Sequence, residues 1–244
     1  MNDANANNPD GNVIFSGTKE VAENLKFDQS LLQEWLGDSL PSAGKIIDVA
    51  QFKGGQSNPT YKIITEQKEL VLRRKPPGIL LPSAHAVDRE YKVMTALKDT
   101  AVPVPQTYGL CEDEDVIGTS FFVMDFLDGG IYWDLLLEDK SLEERKAIYK
   151  SKNQVIAELH KVDYTAVGLG DYGKPGNYIA RQVSRWTKQY LASETETILA
   201  MNNLIDWLPA NIPDEDETSI VHGDYRLDNM VFGKDNRVMG VLDW

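Results

Sequence analysis

Three β-type runs crowded into one short stretch constrain this chain more than any other feature. Ile46–Phe52, Thr60–Thr65 and Glu69–Arg74 are rich in Ile, Val and Tyr, residues that suit a pleated, half-buried surface. A loop dense in breakers, Lys53-Gly54-Gly55-Gln56-Ser57-Asn58-Pro59, separates the first two, and the polar turn Glu66-Gln67-Lys68 separates the last two. Links this short cannot carry the crossover that parallel strands need, so the spacing predicts an antiparallel three-stranded meander.

Helical patterns flank the meander. Asp28 is placed to cap a helix whose apolar face is Leu31, Leu32, Trp35, Leu36 and Leu40, closed by Pro41 and Gly44. After the stiff connection Pro76, Pro77, Gly78 and Pro82, a second helix carries Val87, Tyr91, Met94 and Leu97 on one stripe, ended by Pro103 and Pro105. Gln106–Cys111 and Ser120–Phe126 read as further strands, and Asp128-Gly129-Gly130 breaks the chain. Beyond it the pattern turns helical. Ser141 and Glu144 fit a capping box, and Leu142, Ile148, Val155, Ile156 and Leu159 would form the buried face. A Gly-rich connection, Gly168–Gly176, leads to helices carrying Ile179, Val183, Trp186 and Tyr190, then Ile198, Met201, Ile205 and Leu208. Trp133, Tyr149, Trp186 and Trp207 read as core or interface residues. Asp214-Glu215-Asp216-Glu217 reads as a solvated loop, Ser219–Val221 as a short strand, and Met230–Phe232 with Val238–Leu242 as a hairpin. The expected organisation is a disordered polar tail over 1–20, a small mixed lobe over 21–124, a hinge at 125–130 and a mainly helical lobe over 131–244. The fold class is α+β.

Composition narrows the partners. The 244 residues carry 25 Lys and Arg against 38 Asp and Glu, a formal charge of −13. Such acidity argues against a polymeric nucleic-acid partner, which needs clustered cations to displace counterions, and against docking on an anionic membrane. It leaves open a nucleotide held by a metal and a few local cations. The single cysteine, Cys111, excludes an intrachain disulfide and reads as a small buried hydrophobe. His85 and His160 read as packing or capping groups. The Asn- and Asp-rich start does not resemble a signal peptide, and no apolar run approaches a membrane span. These features predict a soluble, cytoplasmic protein.

The chemistry concentrates in three places. His222-Gly223-Asp224-Tyr225-Arg226-Leu227-Asp228-Asn229 precedes the hairpin, and Asp243 ends the hairpin's second strand. An Asp, an Asn five residues on and a second Asp beyond a hairpin can converge on one cation. Their hard oxygens suit Mg²⁺ and not structural zinc; a polar turn is the plainer alternative for a lone His-Gly-Asp. Gly54-Gly55-Gln56-Ser57-Asn58 can cover a polyphosphate with backbone N–H groups, or be a flexible turn. Arg73 on the third strand and Glu90 on the next helix can form a strand cation gripped by a helix carboxylate, or be two surface charges. The site reads as locally basic at Arg73 and Arg226 despite the acidic total.

Taken in order, these parts resemble a protein-kinase-like two-lobed fold, with a small antiparallel-sheet lobe and a mainly helical large lobe. His-Gly-Asp in place of His-Arg-Asp resembles the aminoglycoside phosphotransferase and choline kinase branch. Gly55-Gln56-Ser57-Asn58-Pro59-Thr60-Tyr61, Val71-Leu72-Arg73-Arg74-Lys75-Pro76-Pro77-Gly78, Arg89-Glu90-Tyr91 and the His222–Asn229 run are similar to the phosphotransferase domain associated with acyl-CoA dehydrogenases. The resemblance implies ATP and Mg²⁺ as cofactors and a small-molecule hydroxyl as acceptor, such as a hydroxyacyl-CoA. Aminoglycosides and choline are less favoured. It also implies a functional link to an acyl-CoA dehydrogenase. It makes Asp224 the catalytic base and Asn229 and Asp243 the metal ligands, and gives Arg226 a place at the γ-phosphate. Gly54, Gly55, Ser57 and Asn58 would cover the nucleotide, Arg73 and Glu90 would hold its phosphates, and the hinge Met124, Asp125, Phe126 and Leu127 would meet adenine. Arg73 departs from the family's usual Lys, and the family pattern implies further helices beyond Trp244, so that the large lobe is expected to be incomplete. Two other readings stand beside a transferase: a nucleotide-binding module without transfer, and a metal-dependent phosphohydrolase on Asp224, Asn229 and Asp243. The hydrolase reading leaves the glycine loop and the Arg73–Glu90 pair unexplained.

Overall fold

The computed structural model describes residues 17–54, 58–78, 86–174, 176–214 and 217–244. Their contacts fall into two compact units, one running up to Lys161 and resuming over Val221–Trp244, the other spanning Val162–Ile220.

The first unit is built on a six-stranded sheet in the order β1-β2-β3-β4-β6-β5. Its strands are β1 (Thr18–Lys19), β2 (Ile46–Phe52), β3 (Thr60–Thr65), β4 (Glu69–Arg74), β5 (Thr107–Cys111) and β6 (Phe121–Asp125). All neighbours are antiparallel, and β2-β3-β4 is the meander that the spacing predicts. Thr18 and Lys19, within the stretch expected to be a tail, pair with Phe52 and Gln51; residues 1–16 of that stretch lie outside the described residues.

Both faces of β4 and β6 are covered, which explains why these two strands are apolar at consecutive positions. Leu70, Leu72, Phe121 and Val123 point to one core with Leu32 and Leu36 of α1 (Gln29–Ser39). Val71, Phe122 and Met124 point to another with Val87 and Met94 of α2 (Val87–Leu97). Period-two alternation along β4 and β6 thus feeds two cores. In the first, Trp35 meets Phe121 edge-on at 4.8 Å between ring centroids. Gly109 makes room for that indole: a Cβ there would lie 3.1 Å from it. Asp28 caps α1 as expected, its carboxylate accepting from the Ser30 N–H at 2.8 Å. Leu31, expected on the apolar face, is exposed.

A short helix, α3 (Glu114–Ile117), and then α4 (Leu142–Lys161) complete the helices of this unit. The capping box at Ser141 and Glu144 forms in both directions. Ile148, Val155 and Leu159 are buried, whereas Leu142 is exposed, since it occupies the first turn of α4 outside the packed stripe. The closing hairpin is β7 (Met230–Phe232) with β8 (Val238–Val241). No strand forms at Ser219–Val221, and Val221 is exposed. Cys111 is buried, and burial pushes its thiol pKa up, as expected of an inert packing group.

The second unit holds α5 (Tyr178–Ser193) and α6 (Leu199–Ala210). Neither helix buries a residue. Ile179, Trp186 and Trp207, read from the sequence as packed positions, are exposed here. No helix among the described residues is long and apolar enough to cross a membrane.

Candidate active site

The site residues of the His222–Asn229 run and Asp243 are positioned by the hairpin. Gly129 and Gly240 let the chain after β6 lie against it: a Cβ on Gly129 would sit 2.6 Å from the Phe232 carbonyl oxygen, and one on Gly240 would collide with Leu127 Cδ1. Gly130 and Phe232 exchange backbone hydrogen bonds at 2.8 Å in each direction. The Val241 N–H donates to the Pro103 carbonyl at 2.9 Å. The hairpin is thereby fixed to the sheet through the segments on either side of β5 and β6.

His222 locks the loop to the second hairpin strand. Its Nε2 lies 2.8 Å from the Leu242 carbonyl, and its Nδ1 accepts from the Asp224 N–H at 3.3 Å. A carbonyl accepts only, so the proton is assigned to Nε2. Burial pulls the imidazole pKa below its ordinary 6.5, against the opposing pull of the Leu242 carbonyl, Asp243 and Asp224. The ring also packs on Trp244 at 4.6 Å between centroids. Gly223 takes a positive φ of 89°, the left-handed turn that presents Asp224. Tyr225 ties the loop to α4 through a 2.8 Å hydrogen bond to the Lys152 carbonyl.

Asp224 and Asn229 come together as the spacing suggests. The Asn229 amide donates to the Asp224 backbone carbonyl at 2.9 Å and to its carboxylate at 3.1 Å. The Leu242 N–H donates to the Asn229 carbonyl at 2.9 Å, so the backbone just before Asp243 is tied to this loop. Asn229 Oδ1 and the Asp243 carboxylate are hard oxygen donors that fit Mg²⁺, an ion that keeps several waters and needs few protein ligands. Among the described residues no three His, Cys, Asp or Glu side chains gather as a metal cage.

Arg73 and Glu90 also meet. Arg73 Nε lies 2.7 Å from Glu90 Oε2, with both side chains nearly buried, and the guanidinium also pairs with Asp243. Asn58, itself buried, donates to the other Glu90 oxygen at 3.1 Å. Burial raises the Glu90 pKa, partly countered by Arg73. Two expectations change in detail. Asn58 orients Glu90 through its side chain, and the sequence offered no signal for that beyond its place after the glycines. Arg226 is gripped by Asp228 through two bonds of 3.0 and 2.9 Å, so neither cation stands unneutralised and the site is not locally basic. Gly54 lies at the start of its loop; Gly55 and Ser57 lie outside the described residues.

The hinge residues continue β6. Met124 is buried beside Val71 and Phe122 in the cluster that Trp244 joins. The Asp125 carboxylate accepts from Tyr108 OH at 2.6 Å, and Tyr108 OH in turn accepts from Lys68 at 2.6 Å. Phe126 donates its N–H to the Glu69 carbonyl, lies beneath Lys62 Nζ at 4.0 Å, and stacks with Phe52 at 6.3 Å between centroids. Sequence reasoning used His222 only as part of a motif and missed Tyr108 and Lys68, whose positions relative to Asp125 depend on strand pairing.

The chain is similar to known proteins in sequence and fold. The phosphotransferase enzyme family model matches residues 48–244. Mouse acyl-CoA dehydrogenase family member 10 is 46% identical over 230 residues, covering 93% of this chain and 21% of that protein. Human acyl-CoA dehydrogenase family member 11 is 43% identical over 238 residues, covering 94% of this chain and 30% of that protein. The chain therefore spans less than a third of these relatives. A crystal structure of a Ralstonia eutropha protein classed as an aminoglycoside phosphotransferase superposes with a TM-score of 0.80 and 53% identity, over 90% of this chain and 65% of that one. The streptomycin–ATP complex of APH(2″)-IIa gives a TM-score of 0.60 at 19% identity, over 89% of this chain and 70% of that one, which shows the kinase-like fold alone.

Proposed function

The chain belongs to the phosphotransferase enzyme family, and from that premise we infer that it moves the γ-phosphoryl group of ATP to a hydroxyl of a small molecule. The observation that supports this most is the pairing of Asp224 with Asn229 on one loop, with Leu242 bonded to the Asn229 carbonyl and the next residue, Asp243, reaching the Arg73–Glu90 pair. Asp224 accepts a hydrogen bond from the acceptor hydroxyl and takes its proton as the oxygen bonds to phosphorus and ADP departs. The transition state is loose, so orientation matters more than basicity. Arg73, held by Glu90, presents its fork to the nucleotide phosphates. Bound Mg²⁺ would supply charge neutralisation at Asn229 and Asp243. A hydroxyacyl-CoA is the acceptor class we favour, because the matched relatives bear acyl-CoA dehydrogenase names.

Asp224→Ala is expected to lower turnover by at least about 100-fold while Mg-ATP affinity stays within about threefold. Turnover near wild type in that variant would remove Asp224 from the role. The pairing of Arg226 with Asp228 and of Arg73 with Asp243 favours one second reading, a nucleotide-binding module without transfer. Mg-ATP binding with no phosphorylated product from hydroxyacyl-CoAs, amino sugars or choline would select it.

A further inference from the structure

The basic face of α5 has no part in the chemistry described above. Residues 172–193 contain no Asp or Glu over 22 positions, the longest such stretch in a chain of charge −13, yet they carry Lys174, Arg181, Arg185 and Lys188. The last three fall at i, i+4 and i+7 of one helix, so they share a face, with Cα rises of about 6 and 10 Å from the first. On α4, by contrast, Lys146 is matched with Glu143 and Lys161 with Glu158. Among the described residues none of these three has a carboxylate partner. Arg181 is anchored on the uncharged carbonyls of Lys174 and Gly176, which hold its fork without cancelling its charge. Arg185 lies 5.8 Å from the ring centre of Trp186. Trp186 and Tyr178 are 61% and 60% exposed, so flat apolar rings stand beside the charges.

We propose that this face of α5 binds the phosphorylated nucleotide end of a coenzyme A thioester. Arginine forks on successive turns suit phosphate groups on one ligand, and an exposed indole or phenol suits an adenine ring. A single carboxylate would use one cation and neither ring; coenzyme A offers several phosphates and a base. The identity of the ligand rests on the acceptor reading above, whereas the anion preference rests on the helix itself.

Isothermal titration of the full chain without ATP, using coenzyme A, 3′-dephospho-coenzyme A and pantetheine, tests it. Coenzyme A should bind at least tenfold tighter than phosphate-free pantetheine, and its affinity should fall with added salt. R181E/R185E should raise the coenzyme A Kd at least tenfold, flatten the salt dependence and leave the Mg-ATP Kd within twofold. If that variant does not fold, R185Q and K188Q serve, each raising the Kd at least threefold. An unchanged Kd in the folded variants, or pantetheine binding as tightly as coenzyme A, overturns the proposal. Salt-sensitive coenzyme A binding without transfer from ATP to any acceptor would remove the transferase reading and keep this surface. Transfer to a hydroxyacyl-CoA together with an unchanged coenzyme A Kd in folded R181E/R185E would do the reverse.

Discussion

Glu90→Gln separates what the buried pair does for stability from what it does for the site. Two charge centres about 4 Å apart attract by about 4 kcal/mol at an effective dielectric of 20, but withdrawing each ion from water costs several kcal/mol. The two nearly cancel, and the sign follows from Glu90 itself: burial raises its pKa above the ordinary 4.5 despite Arg73 and Asn58. The ionised form is therefore the less stabilised one in the folded protein. Arg73 also keeps Asp243 as a second partner, so the substitution leaves no orphaned cation. At pH 7, Glu90→Gln is expected to match wild-type stability or exceed it by about 1 kcal/mol. Mg-ATP affinity should fall at least tenfold as Arg73 loses one of its two anchors. The linkage has a definite sign. A raised folded pKa gives a contribution fully present below 4.5 and lost as pH rises through the folded value. Urea unfolding between pH 4.5 and 7 should therefore show wild type losing ground to the variant as pH rises. A loss above about 1 kcal/mol in the variant at pH 7, or a gap moving in wild type's favour with rising pH, would refute the reasoning.

Other perturbations test the scaffold. His222→Ala removes two hydrogen bonds and the contact with Trp244 and should cost about 2–4 kcal/mol in urea unfolding. Because burial depresses the His222 pKa below 6.5, wild type should lose stability as pH falls from 6.5 through the folded value, and the Ala variant should lack this component. Gly240→Ala should cost about 1–3 kcal/mol by overpacking against Leu127 and Pro105, and trimming Leu127 to Ala in the same chain should return part of the loss.

Local signals made much of this molecule legible. The meander followed from short polar links between β-type runs, and the Ser141–Glu144 capping box from four residues. The pairing of Asp224 with Asn229 needed only a tight loop, and that of Arg73 with Glu90 only the order of strand and helix. Contacts set by long-range register were not legible. Tyr108 reaches Asp125 because β5 lies beside β6, and Lys68 reaches Tyr108 from a turn distant in sequence. Asn58 faces Glu90 because β3 starts two residues later, at Thr60, opposite Arg73 near the end of β4. The exposure of Trp186 and Trp207 was illegible for another reason: amphipathic spacing shows that a face is apolar, not that something covers it.

The charges around Arg73 bear on how a nucleotide enters. Counting cations in the sequence suggests a phosphate site rich in positive charge, but the structure pairs Arg226 with Asp228 and leaves one guanidinium between Glu90 and Asp243. A site of that balance repels a bare triphosphate. Arg73 alone cannot offset it, because its fork is already shared between two carboxylates. Affinity must then depend on cations arriving with the nucleotide, and Asn229 and Asp243 are the oxygens that would receive them. ATP in excess EDTA should bind at least about 100-fold more weakly than Mg-ATP, a difference of about 3 kcal/mol. Asp243→Asn should shrink that difference from both sides, weakening Mg-ATP and strengthening metal-free ATP as one repelling charge leaves and Arg73 is released. Calorimetric titrations of both nucleotides against both proteins decide it. If Asp243→Asn weakens metal-free ATP as well, the carboxylate is not acting as a repelling charge and the electrostatic account fails.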